Sequence, residues 1–591
     1  MSTRARPAAL RAATMCEAFQ LTAAELAEKP ALRTYGDERA WTWAQYAGAV
    51  RRLAAGLSAL DVRHGDPVAS LLVNRPEFHL FDTAAMHLGA PGWSLYNTSV
   101  LEQMVHALAV TGSRVLVTEQ AYLARALELR ARVSVLEHVV VVDGPAPAGT
   151  LSMADVEAAG VASFDFAAAW RTIAPADVLT LIFTSGSSGT PKCVETTHRN
   201  MLAKLQAFDA VYPLTQGGRT VSFLPRAHIA DRWNNQYGPM LFGQTVTCLP
   251  DASKLFACSA EVKPTAWGGV PRIWEKLKAA IEGGLAADPE RRRRFHDALV
   301  VGHERVRARR AGRVSDELER RWRAADEAIF AKLRAMLGLD RCEFFGVGAA
   351  PMPVDVLDFF AAMDIEIAEM WGASECTGNS TINPPGAVRP GTVGKPLPGV
   401  EMRLADDGEL LVRGPSVMKG YRGDPRATAE AIDADGWLHT GDLGRFDADG
   451  YLTIVDRKND IIINSAGKNM APASIEAAIK SQTPLIAQIV AFGDRRPYNV
   501  ALIVLDHAAA GGRGYDDPEI ARLVGEAVAR GNATLSRVEQ IKRYRILADE
   551  WAPGGDELTP TGKPRRKQIR DKYAATIDAI YAGSTSAEHD G

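Results

Sequence analysis

Val178–Thr184, VLTLIFT, runs straight into Ser185–Lys192, SGSSGTPK. The first half is a short apolar run rich in β-branched residues, the pattern of a strand buried on both faces. The second half is almost all Ser, Thr and Gly. Glycines let a backbone curl so that its N–H groups approach an anion without Cβ interference. Hydroxyls and one lysine add donors for phosphate oxygens. The loop is not a Walker A motif, because GxxxxGK[ST] is absent. A flexible Ser/Gly linker is the bland alternative, but a buried strand before it and Pro191-Lys192 after it argue for a phosphate cradle. Thr184, Ser185, Gly186, Ser187, Ser188, Gly189, Thr190 and Lys192 are therefore candidate phosphate contacts.

Upstream, apolar β-type runs alternate with helical patterns. Pro67–Val73, Arg114–Thr118 and Val139–Val142 read as strands, and Glu77–Leu88 reads as a helix. That alternation predicts an α/β fold with largely parallel sheets. Downstream, residues 291–334 carry fourteen Lys/Arg against seven Asp/Glu in a helical pattern. A solvated helical insertion is one reading; a basic face for an anionic membrane or a partner is the other. After Tyr451 the chain changes character, and a second α/β module follows through Ile486–Asp494 and Val500–Asp506. The expected organisation is a large N-terminal domain of layered α/β subdomains over 1–455, a hinge at 456–461, and a small mobile C-terminal α/β domain over 462–591.

Composition excludes several classes. A net charge of −3 over 591 residues gives no global reason to bind nucleic acid. No stretch approaches eighteen consecutive apolar residues. The six cysteines, at 16, 193, 248, 258, 342 and 376, form no CxxC pair or Cys/His cluster, so a reduced, cytoplasmic protein without structural zinc is expected. The basic insertion leaves peripheral contact at the inner face of a membrane as a further expectation.

TSGSSGTPK resembles the phosphate loop of the adenylate-forming superfamily, which includes acyl-CoA synthetases, firefly luciferase and the adenylation domains of peptide synthetases. The likeness extends from about Ala31 to Tyr573, with the motifs in the family's order. WGASE, Trp371–Glu375, is similar to the family's aromatic-Gly-x-Thr-Glu signature. The resemblance implies that Trp371 stacks on adenine, Gly372 and Ser374 meet the nucleotide, and Glu375 holds magnesium. A hard divalent ion suits such an oxygen ligand. Gly348, Ala349 and Ala350 resemble the lining of the adenine pocket. In GWLHTGDLG, Asp442 matches the acceptor of both ribose hydroxyls, and Arg457 of the following DRK matches an arginine on ribose and phosphate. Lys563 in LTPTGKPRRKQIR matches the lysine that the small domain brings to the α-phosphate and the substrate carboxylate. Lys563, Ser374, Glu375 and Lys192 are the candidate catalytic residues. The chain departs from the family at Trp371 (usually Tyr), Ser374 (usually Thr), Cys193 (usually Gly) and Asn459, which stands at the hinge where Asp or Lys is usual.

FLPRAHIADR, PTAWGGVPRIWEKL and SAGKNMAP resemble segments of the long-chain acyl-CoA synthetases. They imply an acyl pocket at His228 and Trp233 and a CoA-facing loop at Gly467. The implied reaction has two steps. A fatty carboxylate attacks Mg-ATP to give acyl-AMP and pyrophosphate, and the thiol of coenzyme A then attacks the adenylate. The competing expectations are a fatty acyl-AMP ligase that loads a carrier protein and a catalytically dead, membrane-docked scaffold. A peptide-synthetase adenylation domain lacks its Phe-Asp-x-Ser segment here. Fatty acid, ATP, Mg2+ and CoA are the expected ligands, and nucleic acid is not among them.

Overall fold

The computed structural model describes residues 6–184, 191–458, 460–465, 468–559 and 562–583. Ser185, Gly186, Ser187, Ser188, Gly189 and Thr190 of the phosphate loop, Asn459 of the hinge and Gly467 of the CoA-facing loop lie outside them.

Val178–Thr184 forms a strand with the predicted bounds, inside an eight-stranded sheet. Its partners are Gly92–Ser94 on one side, in parallel, and Lys192–Thr197 on the other, antiparallel. Beyond Gly92–Ser94 the sheet continues through Val68–Leu71, Val115–Thr118, His138–Val141 and Leu151–Ser152, all parallel. Gly420–Tyr421 adds the far edge, antiparallel to Lys192–Thr197. Strand alternation divides the side chains between two cores. Val115 and Val117 pack with Val50 and Leu53 of the helix Trp43–Ala59. Leu116 faces the other way, with Met104 and Leu108 of Leu101–Thr111 and Leu129 of Leu123–Arg132. Both faces being covered, the strands are apolar throughout rather than alternating.

A five-stranded sheet runs through Ala266–Gly269, Phe344–Val347 and Ile367–Ala373 in parallel, then turns antiparallel into Gly378–Ile382 and Lys395–Pro396. The hairpin between Ile367–Ala373 and Gly378–Ile382 carries WGASE at its turn. The basic segment folds as Pro289–Arg310, Asp316–Ala325 and Ala331–Met336 with a π-helical join. It is anchored by buried Phe295, Val306, Trp322 and Phe330, and the Trp322 indole N–H donates to the Ala362 carbonyl at 3.0 Å.

The expectation of largely parallel sheets fails after Glu401. Glu401–Leu404, Glu409–Arg413, Leu438–Phe446 and Leu452–Arg457 form a wholly antiparallel sheet. The reason is turn length, since parallel strands need a crossover of a dozen or more residues. Here short Asp-Gly turns make the first and last reversals: Asp407 Oδ1 accepts from the Glu409 amide, and Asp447 Oδ1 from those of Asp449 and Tyr451, while the middle pair is joined by a longer connection through the helix Pro425–Ala431. Leu452–Arg457 runs past residue 455 and pairs with Asp442, Leu443, Gly444, Arg445 and Phe446 of Leu438–Phe446. The last module has Ile486–Phe492 antiparallel to Asn499–Leu505, which is parallel to Ile541–Ile546. Helices Pro472–Lys480 and Pro518–Ala533 share a core with these strands.

Candidate active site

Register builds the centre of the site. In the antiparallel pair, Asp442 lies opposite Arg457, and cross-strand partners have their side chains within reach. The Arg457 Nε–H meets Asp442 Oδ1 at 2.9 Å. The other carboxylate oxygen, Oδ2, accepts from the Trp371 indole N–H at 2.8 Å. Trp371 and Asp442 are both buried. Tryptophan thus does something a tyrosine ring could not do from the same atom positions: it donates an indole N–H to the carboxylate. Each carboxylate oxygen retains a second lone pair, which leaves acceptor capacity for a diol.

Gly372 is dictated by the hairpin. A Cβ there would lie 1.8 Å from the Gly378 carbonyl oxygen and 2.5 Å from Asn379 Cα, so no side chain fits. Ser374 and Glu375 occupy the short 3-10 turn that follows. Glu375 Oε1 accepts from the Tyr421 hydroxyl at 2.9 Å, and the Lys192 ammonium stands over the Tyr421 ring, 4.8 Å from its centroid. Lys192, Tyr421 and Glu375 therefore link the end of the phosphate loop to the WGASE turn. Thr184 closes the strand on the loop's other side, its hydroxyl donating to the Lys192 carbonyl at 3.4 Å. Cys193 packs in the strand after the loop, and burial pushes its thiol up to about 12, so it remains protonated.

Gly348, Ala349 and Ala350 follow the strand Phe344–Val347. Ala349 has φ of 73°, a left-handed conformation that costs a residue with a Cβ on the order of 1 kcal/mol or more. Such strain is held where the surroundings fix it: a Cβ on the preceding Gly348 would lie 3.4 Å from the carbonyl oxygen of Met370, the residue before Trp371.

Lys563 arrives from the C-terminal module. Its backbone is pinned to Thr559, whose hydroxyl accepts the Lys563 amide at 3.0 Å. Its ammonium is held below the usual lysine range, first by the surrounding protein and then by Arg457, with Asp442 acting in the opposite direction. The side chain is still open to solvent, the situation of a group in a cleft rather than on a convex face. His228 lies at the same cleft. Burial, with Lys563 nearby, lowers its imidazole to about 4, so it is neutral at physiological pH. Its Nδ1 accepts from the Ala230 amide at 3.1 Å, capping a short helical turn. Trp233 is farther in, packed on Phe208 with ring centroids 5.4 Å apart.

The structure thus brings Trp371, Asp442, Arg457, Lys563 and His228 together, and gathers Lys192 and Glu375 around Tyr421. Tyr421 is not singled out by sequence reasoning. It belongs to a two-residue edge strand paired across more than two hundred residues, and no local pattern announces such a pairing. Among the described residues no group of three or more His, Cys, Asp and Glu gathers to hold a metal. One carboxylate, Glu375, suits a magnesium ion that arrives already bound to nucleotide phosphates and keeps several waters.

A family model described as AMP-binding enzyme matches residues 19–422, and one described as AMP-binding enzyme C-terminal domain matches 459–585. A Mycobacterium tuberculosis protein provisionally named fatty-acid–CoA ligase fadD11 is 49% identical over 450 residues, covering 73% of this chain and 79% of its own. Long-chain-fatty-acid–CoA ligase FadD15 of Mycobacterium bovis is 35% identical over 559 residues, 91% of this chain and 92% of its own. Among solved structures, an anthranilate CoA ligase in complex with anthranoyl-AMP superposes with a TM-score of 0.74 at 20% identity, covering 96% of this chain and 98% of its own.

Proposed function

Because this chain belongs to the AMP-binding enzyme family, we propose how its residues divide the work of a long-chain-fatty-acid–CoA ligase. The reaction joins a fatty acid to CoA at the expense of ATP, through acyl-AMP, with Mg2+ accompanying the nucleotide.

In the first step the fatty carboxylate attacks the α-phosphorus of ATP and pyrophosphate leaves. The loop Thr184–Lys192 cradles phosphates, and Trp371 stacks on adenine beside Gly348, Ala349 and Ala350. Asp442 accepts from the ribose hydroxyls, and Arg457 reaches ribose and phosphate. Lys563 meets the two anions that must approach each other and the charge that develops between them. Ser374 donates to phosphate, and Glu375 would supply an oxygen to a magnesium ion that neutralises phosphate charge. In the second step the small domain turns about 456–461, Lys563 withdraws, and the loop at Gly467 faces the incoming thiol. The thiol attacks the mixed anhydride and AMP leaves, so no side-chain nucleophile is needed. The acyl chain runs past His228 and Trp233.

The single observation carrying this reading is that Lys563, from one module, stands beside Asp442, Arg457 and His228 of the other. Pyrophosphate release across acids from short to very long chains, with and without CoA, tests it. Release that depends on a long-chain acid, with acyl-CoA formed only when CoA is present, is the expected result. Full turnover without CoA points instead to carrier-protein loading.

No helix among the described residues is long and apolar enough to cross a membrane. Contact with an anionic membrane surface is proposed for Pro289–Arg310. Several of its arginines are neutralised locally: Arg305 pairs with Glu319 at 2.8 Å, Arg310 with Asp358 at 2.6 Å, and Arg294 with Glu290. Among the described residues Arg291, Arg292 and Arg293 form no ion pair, and all three are exposed. Replacing these three by Ser should lower co-sedimentation with anionic vesicles by on the order of 1 kcal/mol per charge and leave kcat for a short soluble acid unchanged. Unaltered sedimentation rejects the membrane contact.

A further inference from the structure

The helix His198–Val211 buries Met201, Leu205 and Phe208, and Lys204 lies on that same face. Only 1% of Lys204 is exposed, and its ammonium is enclosed without a hydrogen-bond partner among the described residues. Among the described residues no carboxylate pairs with it. Its neighbours are aromatic: the Trp233 ring lies 4.5 Å away and the Phe208 ring 5.2 Å. Burial draws its pKa down to about 7.

An unpaired ammonium in the interior costs several kcal/mol, and contact with aromatic faces returns only ~2 kcal/mol even when desolvated. Packing alone is better served by methionine or leucine. Two further observations locate the lysine. A Cβ on Gly378 would lie 3.6 Å from Lys204 Cε and 2.9 Å from Trp233 Cδ1, so Lys204, Trp233 and Gly378 touch one another. Gly378 begins the strand that leaves the WGASE turn. Trp233 follows His228 on a segment wound as a π-helix, Arg232–Tyr237, a form found mostly as local bulges and frequently at functional sites. Among the described residues an orphaned donor thus sits against Trp233, beside the path proposed for the acyl chain.

We infer that Lys204 is a specificity-determining residue that selects acyl substrates carrying an oxygen, above all a hydroxyl, on the hydrocarbon chain. A hydroxyl oxygen on the chain accepts from the lysine, satisfying the orphaned donor. Trp233 covers the ammonium when no such chain is bound and gives way to it. A site built to hydrogen-bond a substrate hydroxyl discriminates strongly against the analogue that lacks it, because its own polar groups are then left unpaired. The inference rests on the fatty-acid ligase reading above.

The test compares hexadecanoate with hydroxyhexadecanoates bearing the hydroxyl near the carboxyl, mid-chain and at the far end. Pyrophosphate release with hexadecanoate by the wild-type enzyme checks the ligase reading separately. For the wild type, kcat/KM should favour at least one hydroxy acid by roughly tenfold or more. K204M should erase that preference while keeping hexadecanoate turnover within about twofold, and Lys204→Gln, which keeps a neutral donor, should retain part of it. Three results overturn the inference: no hydroxy acid outruns hexadecanoate in the wild type, the preference survives K204M, or K204M depresses both acids alike. The first needs no variant, so a misfolded mutant does not shield the inference.

Discussion

Lys563→Ala should slow pyrophosphate release by about 10²–10³-fold, the scale on which a preorganised group facing developing transition-state charge contributes, and leave thioester formation from supplied acyl-AMP close to wild type. The lysine stands beside Asp442 and Arg457 in the arrangement seen here, and its ammonium is already drawn below the ordinary lysine range. The sign follows: as pH rises through that lowered value the lysine loses its charge, so wild-type adenylation should decline on the alkaline side. ATP phosphates oppose this by favouring the charged form. Rapid-quench assays of the two half-reactions separate the outcomes. Equal loss in both means that Lys563 supports the structure rather than the first step.

Asp442→Ala should raise the KM for ATP by about a hundredfold or more. The substitution removes the acceptors proposed for two ribose hydroxyls. It also strands the Trp371 N–H, and each buried unpaired donor costs ~1–3 kcal/mol. Arg457 loses its partner as well, but it is half exposed and water compensates it. Trp371→Phe is the graded companion: it keeps a stacking face and deletes only the N–H, so a loss of ~1 kcal/mol in ATP affinity is expected. Isothermal titration with ATP analogues measures both. An unchanged ATP affinity in Asp442→Ala would remove the ribose assignment.

The strand Val178–Thr184 was legible because its signal is local: a β-branched apolar run cut off by glycines and proline. The individual motifs were legible for the same reason. What joins them was not. Asp442 faces Arg457 only because a bulge between Leu443 and Gly444 sets the register, and nothing in the spacing of two strands reports a bulge. Lys563 meets Asp442 through the seating of one module on another. The antiparallel sheet from Glu401 onward was readable in part, since DDG at 406–408 and DADG at 447–450 mark two of its three reversals. Lys204 was a visible anomaly too, a charged residue at the helical spacing of Met201, Leu205 and Phe208, but a lysine on an apolar face declares itself only once burial is known.

The two modules also meet away from the site. Arg272 of the helix Pro271–Leu285 pairs with Asp506, which follows the strand Asn499–Leu505, and a Cβ on Gly554 would lie 2.2 Å from the Thr98 carbonyl oxygen. The pair is partly exposed, 33% and 19% for the two side chains, so it contributes on the order of 1 kcal/mol at most and weakens as electrolyte screens it. A shift of ~1 kcal/mol changes the ratio of two arrangements about fivefold. Under the turn proposed for the small module, ionic strength then acts as a dial on the resting poise of the molecule: dilute buffer favours the seated arrangement, and concentrated salt weakens that preference by up to about fivefold.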